Sequence, residues 1–403
     1  MLACGRRAGN APWAAGDPTM NSGTEARTIA FCQELVRLES LSGEEQAVAE
    51  AVEREMRALG YNEVGRDELG SVVGVVRGGR EGAVVLFDAH LDVVPATEPG
   101  AWRFPPFSGE RAEDRVWGRG ATDVKGSLAA LVLALGTLPR AEFAGTAVVS
   151  ASVGEERIEG LAVEHVLAAH PVDVAVICEP TGLRLGIGHR GRASLVVEAA
   201  GRAAHTSQAA NGINAVYRLT EAIARIRAMT PRADAWLEHG HIELVEVSSR
   251  PFPGSAMVPY HATARFDRRL VRGETRESVL AEMEQALAGL EGLSVRLHTG
   301  ELRCYTGRSF TVEAFHPGWA VAADAAHVQR ARQALAGAKL DRGVFYAPYS
   351  TNATATAGRI GLPTLIYGAG DISAAHALDE SVGVEELLAA FRGYQALARG
   401  LAR

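Results

Sequence analysis

Two hydrophobic periods take turns along the chain. "TEARTIAFCQELVRLESL" (24–41) and "GEEQAVAEAVEREMRALGY" (43–61) repeat apolar residues at helical spacing and predict two amphipathic helices, the second ending at Gly60. Short β-like runs follow: "SVVGVVRG", "AVVLFDAHLDVV", "GTAVVSASVGEE" and "DVAVICEP". The helical patterns "VKGSLAALVLALGTL" and "LAVEHVLAAH" separate them. Strands alternating with helices predict an α/β fold whose sheet is covered on both faces. Near residue 190 the pattern changes. "RASLVVEAAGRAAH", "NAVYRLTEAIARIRAM", "WLEHGHIELVEVSS", "MVPYHATARFDRRL", "TRESVLAEMEQALAGL" and "LSVRLHTG" read as strand, helix, two strands, helix, strand. The α/β pattern resumes with "HVQRARQALAGA", "PTLIYGAG" and "VEELLAAFRGYQALARGLA". The expected organisation is therefore an α/β domain in two parts, 23–192 and 304–403, with a small α+β domain, 193–303, inserted between them.

Composition narrows the class. The 403 residues are 47% hydrophobic and 22% charged, as in a folded chain of about two domains. A formal charge of −7 argues against a nucleic-acid surface, which needs a basic excess. The longest apolar run, from Leu128, is too short to span a bilayer. Cys4, Cys32, Cys178 and Cys304 are scattered without a CxxC pair, which suggests reduced thiols in the cytoplasm. In "MLACGRRAGNAPWAAGDPTM" no apolar stretch follows the arginines as an export signal would need. Residues 1–22 are expected to be a disordered extension, or to lie upstream of a start at Met20.

Ionisable residues cluster where strands end. His90 and Asp92 close one apparent strand, Glu155 and Glu156 another, and Glu179 a third. Asp123 lies between "RVWGRG" and a helix, and His376 follows "LIYGAGDISAA". Each alone has a plain explanation: a core histidine, a solvated acidic turn, a helix-start aspartate. Together they bring several acids and two imidazoles to one sheet edge, where ligand sites of open α/β folds gather. Carboxylates crowded there would repel one another, and divalent cations cancel that repulsion. Imidazole and carboxylate without thiolate suits zinc, with cobalt or manganese as alternatives. The ligands are too many for one tetrahedral ion and about right for two, with one carboxylate bridging.

"HLDVVP", "GRGATDVKG", "GEER", "CEPTG" and "AHALDE" resemble, in this order, the signature of the dinuclear-zinc aminoacylase and carboxypeptidase family. Its members include acetylornithine deacetylase, succinyl-diaminopimelate desuccinylase and glutamate carboxypeptidase. The resemblance implies that His90 and Glu179 hold one zinc, that Glu156 and His376 hold the other, and that Asp123 bridges. Asp92 would orient the His90 ring, and Glu155 would be the general base toward a metal-bridging water. The insert resembles the family's dimerisation domain, which implies a homodimer. There His205, in "GRAAHTS", would reach the partner's active site and stabilise an oxyanion. Arg269, Asn352, and Gly368 and Gly370 of "YGAG" would contact the substrate. The implied substrate is an N-acyl amino acid, dipeptide or similar small carboxylate.

The sequence departs from the family pattern at Ala256, at "GAG" and at Asn352, which bears on substrate identity. "DRRLVRGET", "YTG", "GW" and "YSTN" look most like a subgroup of hydrolases linked to selenium metabolism. A non-catalytic ligand-binding protein on the same fold is the alternative. A serine or nucleotide enzyme is set aside, since GxSxG and the Walker loop are both missing.

Overall fold

The computed structural model describes residues 21–403. The expected extension therefore lies outside the described residues, apart from its last two positions, and these are corrected. Asn21 is the N-cap of helix Ser22–Arg37, its side chain accepting the Thr24 N–H, so these two positions belong to a helix start.

A nine-stranded mixed sheet forms the body. At its centre strand Arg80–His90 runs parallel to Ala144–Ser152 on one side and to Val174–Ile177 on the other. Thr364–Ile366 extends the parallel set beyond Val174–Ile177. Antiparallel strands flank it: Val72–Arg77 on one side and Leu185–His189 on the other. Alternation along the central strand explains how both faces are filled. Val85, Phe87 and Ala89 join the main core, while Leu86 faces a second cluster with Val163 and Val166 of helix Leu161–Ala169.

Helices Ser22–Arg37, Gln46–Ala58, Gly126–Gly136, Ala326–Gly337 and Val384–Leu401 contribute to the main core. Gly126–Gly136 is the innermost, and its residues from Gly126 to Leu135 are buried, as expected for a helix apolar all round. Among the described residues no helix is long and apolar enough to cross a membrane. Cys32, Cys178 and Cys304 are free and buried.

A separate five-stranded antiparallel sheet contains strands His241–Arg250, His261–Leu270, Gly191–Ala200 and Leu293–Leu297. Helices Ala215–Arg227 and Arg276–Ala286 share its hydrophobic core. The strict alternation of buried and half-buried residues along His261–Leu270 shows one face on that core and one more open face. Phe315 and His316 also pair with Gly191–Ala200, so this sheet recruits chain beyond residue 303. Between them the hairpin Thr299–Arg303/Ser309–Glu313 turns back to the body, where the Tyr305 hydroxyl donates to the Gly70 carbonyl at 2.6 Å.

Candidate metal centre

The central strands stop just short of the chemistry. Arg80–His90 ends on His90 itself, Ala144–Ser152 ends three residues before Glu155, and Val174–Ile177 two before Glu179. Asp123 sits in the irregular turn Ala121–Lys125, with non-helical φ −120° and ψ 86°. His376 lies in the loop after Thr364–Ile366, in the left-handed region at φ 59°.

Five side chains converge from these segments. Ligand atoms of His90, Asp123 and Glu179 lie within 4.8 Å of one another, as do those of Asp123, Glu156 and His376. Asp123 belongs to both groups. Its Oδ1 is 3.1 Å from His90 Nε2, and its Oδ2 is 3.4 Å from His376 Nε2. Glu179 Oε1 lies 3.9 Å from His90 Nε2, and Glu156 Oε1 lies 2.9 Å from His376 Nε2. One carboxylate thus faces two imidazoles, one with each oxygen.

The electrostatics test whether a cation suits this site. Burial, opposed by His90 and reinforced by Glu179, pushes the Glu155 carboxyl well above its ordinary range. Burial and Asp123 push Glu179 up as well, and burial also raises Glu156 against its bond to His376. Asp123 moves the other way: burial would raise it, but hydrogen bonds with His376 and His90 hold it low. His376 is pushed up to about 10 by Asp123 and Glu156. Four acids share two imidazoles, and three of those acids hold protons past their ordinary range. That imbalance, with oxygen and imidazole donors only, fits divalent cations.

Asp92 differs from the expected arrangement in one respect. The ring Nδ1 of His90 meets the Asp92 backbone carbonyl at 2.9 Å, while the nearest Asp92 carboxylate oxygen is 3.6 Å away. A carbonyl can only accept, so Nδ1 carries the proton and the Nε2 lone pair faces Asp123 and Glu179. The Asp92 carboxylate accepts the Glu155 N–H at 3.0 Å, the Glu156 N–H at 3.1 Å and the Ser42 hydroxyl at 2.6 Å. The strand has already ended at His90, so its two-residue period no longer sets where Asp92 points.

Two substrate contacts are corrected. Asn352 is 1% exposed, and both ends of its amide are used internally. Its Nδ2 donates to Asp88 at 2.9 Å and to Ser152 at 3.1 Å, and its Oδ1 accepts the Gly160 N–H at 2.7 Å. It ties strand ends together. The Gly368 N–H donates to the Thr181 hydroxyl at 3.1 Å, so it is not offered to a ligand. A Cβ there would come 2.5 Å from the Glu179 carbonyl oxygen, which explains the glycine. Gly370 has φ +84° and packs on Thr122.

His205 and Arg269 lie in the antiparallel sheet and its loops. His205 is exposed and shares its Nδ1 with the Ser207 hydroxyl at 2.8 Å. Arg269 pairs with Asp267 at 3.0 Å on the open face. Asp267 also holds Arg192 at 2.7 Å, and Arg192 approaches Glu159 of the Glu155–Glu156 loop at 3.6 Å. Ser42 and Glu380 are contacts that sequence reasoning missed. Glu380 could have been noticed, since it closes the "AHALDE" motif.

A mixed α/β sheet that gathers two imidazoles and three carboxylates past its strand ends defines a candidate dinuclear metal centre. Residues 86–400 match the profile described as Peptidase family M20/M25/M40, and the chain belongs to that family, whose chemistry is hydrolysis of C–N amide bonds. The chain is 27% identical over 387 residues to the uncharacterized protein YgeY of Escherichia coli, covering 93% of this chain and 94% of that one. It is 29% identical over 287 residues to succinyl-diaminopimelate desuccinylase of Rhodospirillum centenum, covering 66% and 73% of the two chains. The fold is shared with a Bacillus subtilis protein described as a dinuclear metal binding peptidase of family M20. The TM-score is 0.70 at 16% identity, covering 95% of this chain and 99% of that chain.

Proposed function

We propose that this enzyme hydrolyses the amide bond of an N-acyl amino acid, a dipeptide or a similar small carboxylate-bearing substrate, with two zinc ions as cofactors. The observation that carries the reading is Asp123, whose two oxygens face the imidazoles of two separate ligand groups. His90, Asp123 and Glu179 would hold one ion, and Asp123, Glu156 and His376 the other, with cobalt or manganese as substitutes. Bound there, the ions would act as Lewis acids toward the scissile carbonyl and toward water.

Glu155 takes a proton from the attacking water and returns it to the leaving amine nitrogen. Its burial supports that role, since a carboxyl shielded from bulk water can keep the proton between the two steps. Asp92 keeps the Glu155–Glu156 backbone fixed and, through its carbonyl, keeps His90 in the tautomer that leaves Nε2 basic. Arg269 binds the substrate carboxylate, in exchange for Asp267, and the Gly370 loop contacts the same end of the substrate. His205 polarises the scissile carbonyl in the site of a second copy of the chain.

The small sheet, 193–303, is the proposed dimer surface. Tyr217 is 74% exposed, and Val245 and Val247 on the edge strand His241–Arg250 are more than half exposed, which supports pairing there. The buried free cysteines support a cytoplasmic location.

The deciding experiment is a screen of zinc-loaded protein against N-acyl amino acids and dipeptides, with released amine measured. Turnover of at least one carboxylate-bearing amide is expected. Saturable binding without release across the library would favour the binding-protein alternative.

A further inference from the structure

Glu380 is the least explained ionisable group near the metal centre. It is 1% exposed and four residues beyond His376. Its Oε1 accepts two consecutive backbone N–H groups, from Thr122 at 2.9 Å and from Asp123 at 3.0 Å. Its Oε2 accepts from Arg119 Nη1 at 2.7 Å, and Arg119 is itself 1% exposed. Three donors on one buried carboxylate, one of them charged, make a strong and directional clamp.

The clamp closes a loop between two ligand-bearing segments. Arg119 stacks over the Trp102 ring at 5.1 Å and points Nη2 toward the His376 carbonyl oxygen at 3.5 Å. The Glu380 carbonyl accepts the Gly118 N–H at 2.8 Å, and the Ser381 carbonyl accepts the Thr122 hydroxyl at 2.9 Å. The segment 118–123 and the segment 376–381 are thus bolted together beneath the site. Asp92 makes the same kind of capture opposite, taking the N–H groups of Glu155 and Glu156.

Asp123 has the tightest geometric task in the centre, because each of its oxygens must stay aimed at a different imidazole. Its backbone lies outside helical φ/ψ, so the helix that follows does not hold it there. We propose that Glu380 is a positioning residue for the metal centre: clamped by Arg119, it fixes the Asp123 backbone so that one side chain serves both ligand groups. The inference rests on the two-metal reading. It adds that the bridge is pre-set by the protein rather than shaped by the ions.

The test is a cobalt(II) titration of metal-stripped protein, followed by visible absorbance. Replacing both members, Arg119→Met with Glu380→Met, removes the buried pair without stranding either charge and leaves the two N–H groups without their acceptor. Arg119→Met with Glu380→Gln restores an amide oxygen as acceptor. If the proposal holds, the Met/Met protein melts cooperatively and yet binds both ions about 10- to 100-fold more weakly. The Met/Gln protein should recover most of that loss. Glu380→Asp, which keeps the charge and draws the oxygens back by one methylene, should also weaken both ions about tenfold or more. A folded Met/Met or Asp variant that binds cobalt as the unaltered protein does overturns the proposal, as does a Met/Gln variant no better than Met/Met. If the unaltered protein takes up no cobalt, the two-metal reading fails instead.

Discussion

Replacing Glu155 by glutamine is the sharpest perturbation of the proposed chemistry, because the structure isolates what it removes. The side chain is buried, with 8% exposure, and glutamine keeps its shape. The bond that fixes this position, the Glu155 N–H to Asp92, belongs to the backbone and survives. Glu155 is also absent from both ligand groups, so metal content should not change. What disappears is a group able to accept and return a proton. Such groups contribute about 10²- to 10⁴-fold, or about 3 to 5 kcal/mol of barrier at 1.36 kcal/mol per decade. The expectation for Glu155→Gln is a kcat lower by that factor, KM within a few-fold, and unchanged bound metal by elemental analysis. Amine release from the best substrate of the screen is the assay. A folded, metal-replete Glu155→Gln protein with more than a tenth of normal kcat would refute the reasoning.

Other expectations follow from separate contacts. His189 is fully buried with Nδ1 on the Arg190 carbonyl at 2.8 Å, and burial pushes its pKa down from 6.5 to about 4. Because the folded value lies below the unfolded one, its contribution is complete above about pH 6.5 and is lost as pH falls toward 4. Relative to His189→Gln, the unaltered protein should lose about 2 to 3 kcal/mol between pH 7 and pH 4.5 in urea unfolding; a constant difference would contradict this. Asn352→Ala leaves the Gly160 N–H and the Asp88 carboxylate short of buried partners and should cost about 2 to 4 kcal/mol in stability with KM little changed. A large KM effect without loss of stability would return Asn352 to substrate binding. If His205 acts across a dimer, mixing His205→Ala with Glu155→Gln subunits should restore activity through one intact hybrid site. No recovery after demonstrated subunit exchange would place His205 outside catalysis.

The sequence was most informative where periodicity is strong. The amphipathic helices, the fully apolar Gly126–Gly136 helix and the central strands lie close to the expected segments, because burial on one stripe or on both faces leaves a readable pattern. Leu185–His189, "LGIGH", was not readable as a strand: two glycines break its pattern, and it owes its place to pairing with distant chain. Phe315 and His316 joined the small sheet for the same non-local reason. At the metal centre the ligand types were readable from residues ending strands, but their supports were not. Asp92 turns to the Glu155–Glu156 backbone because the strand ends before it, and Glu380 acts on Asp123 across 257 positions of sequence. Asn352 looked like a substrate contact because of its motif neighbours, whereas its amide is spent on Asp88, Ser152 and Gly160. Backbone capture by a side chain leaves no period in a sequence.

The central claim is that this chain cuts amide bonds with a two-metal centre bridged by Asp123. The most direct measurement is metal content and turnover on the same samples: unaltered protein, the same protein after chelation and zinc return, and Asp123→Ala. Two zinc equivalents per chain with amine release are expected, with loss of both on chelation, recovery on zinc return, and less than one equivalent with no turnover in Asp123→Ala. Full turnover in protein stripped of metal, or two firmly bound ions in a folded Asp123→Ala protein, would contradict it.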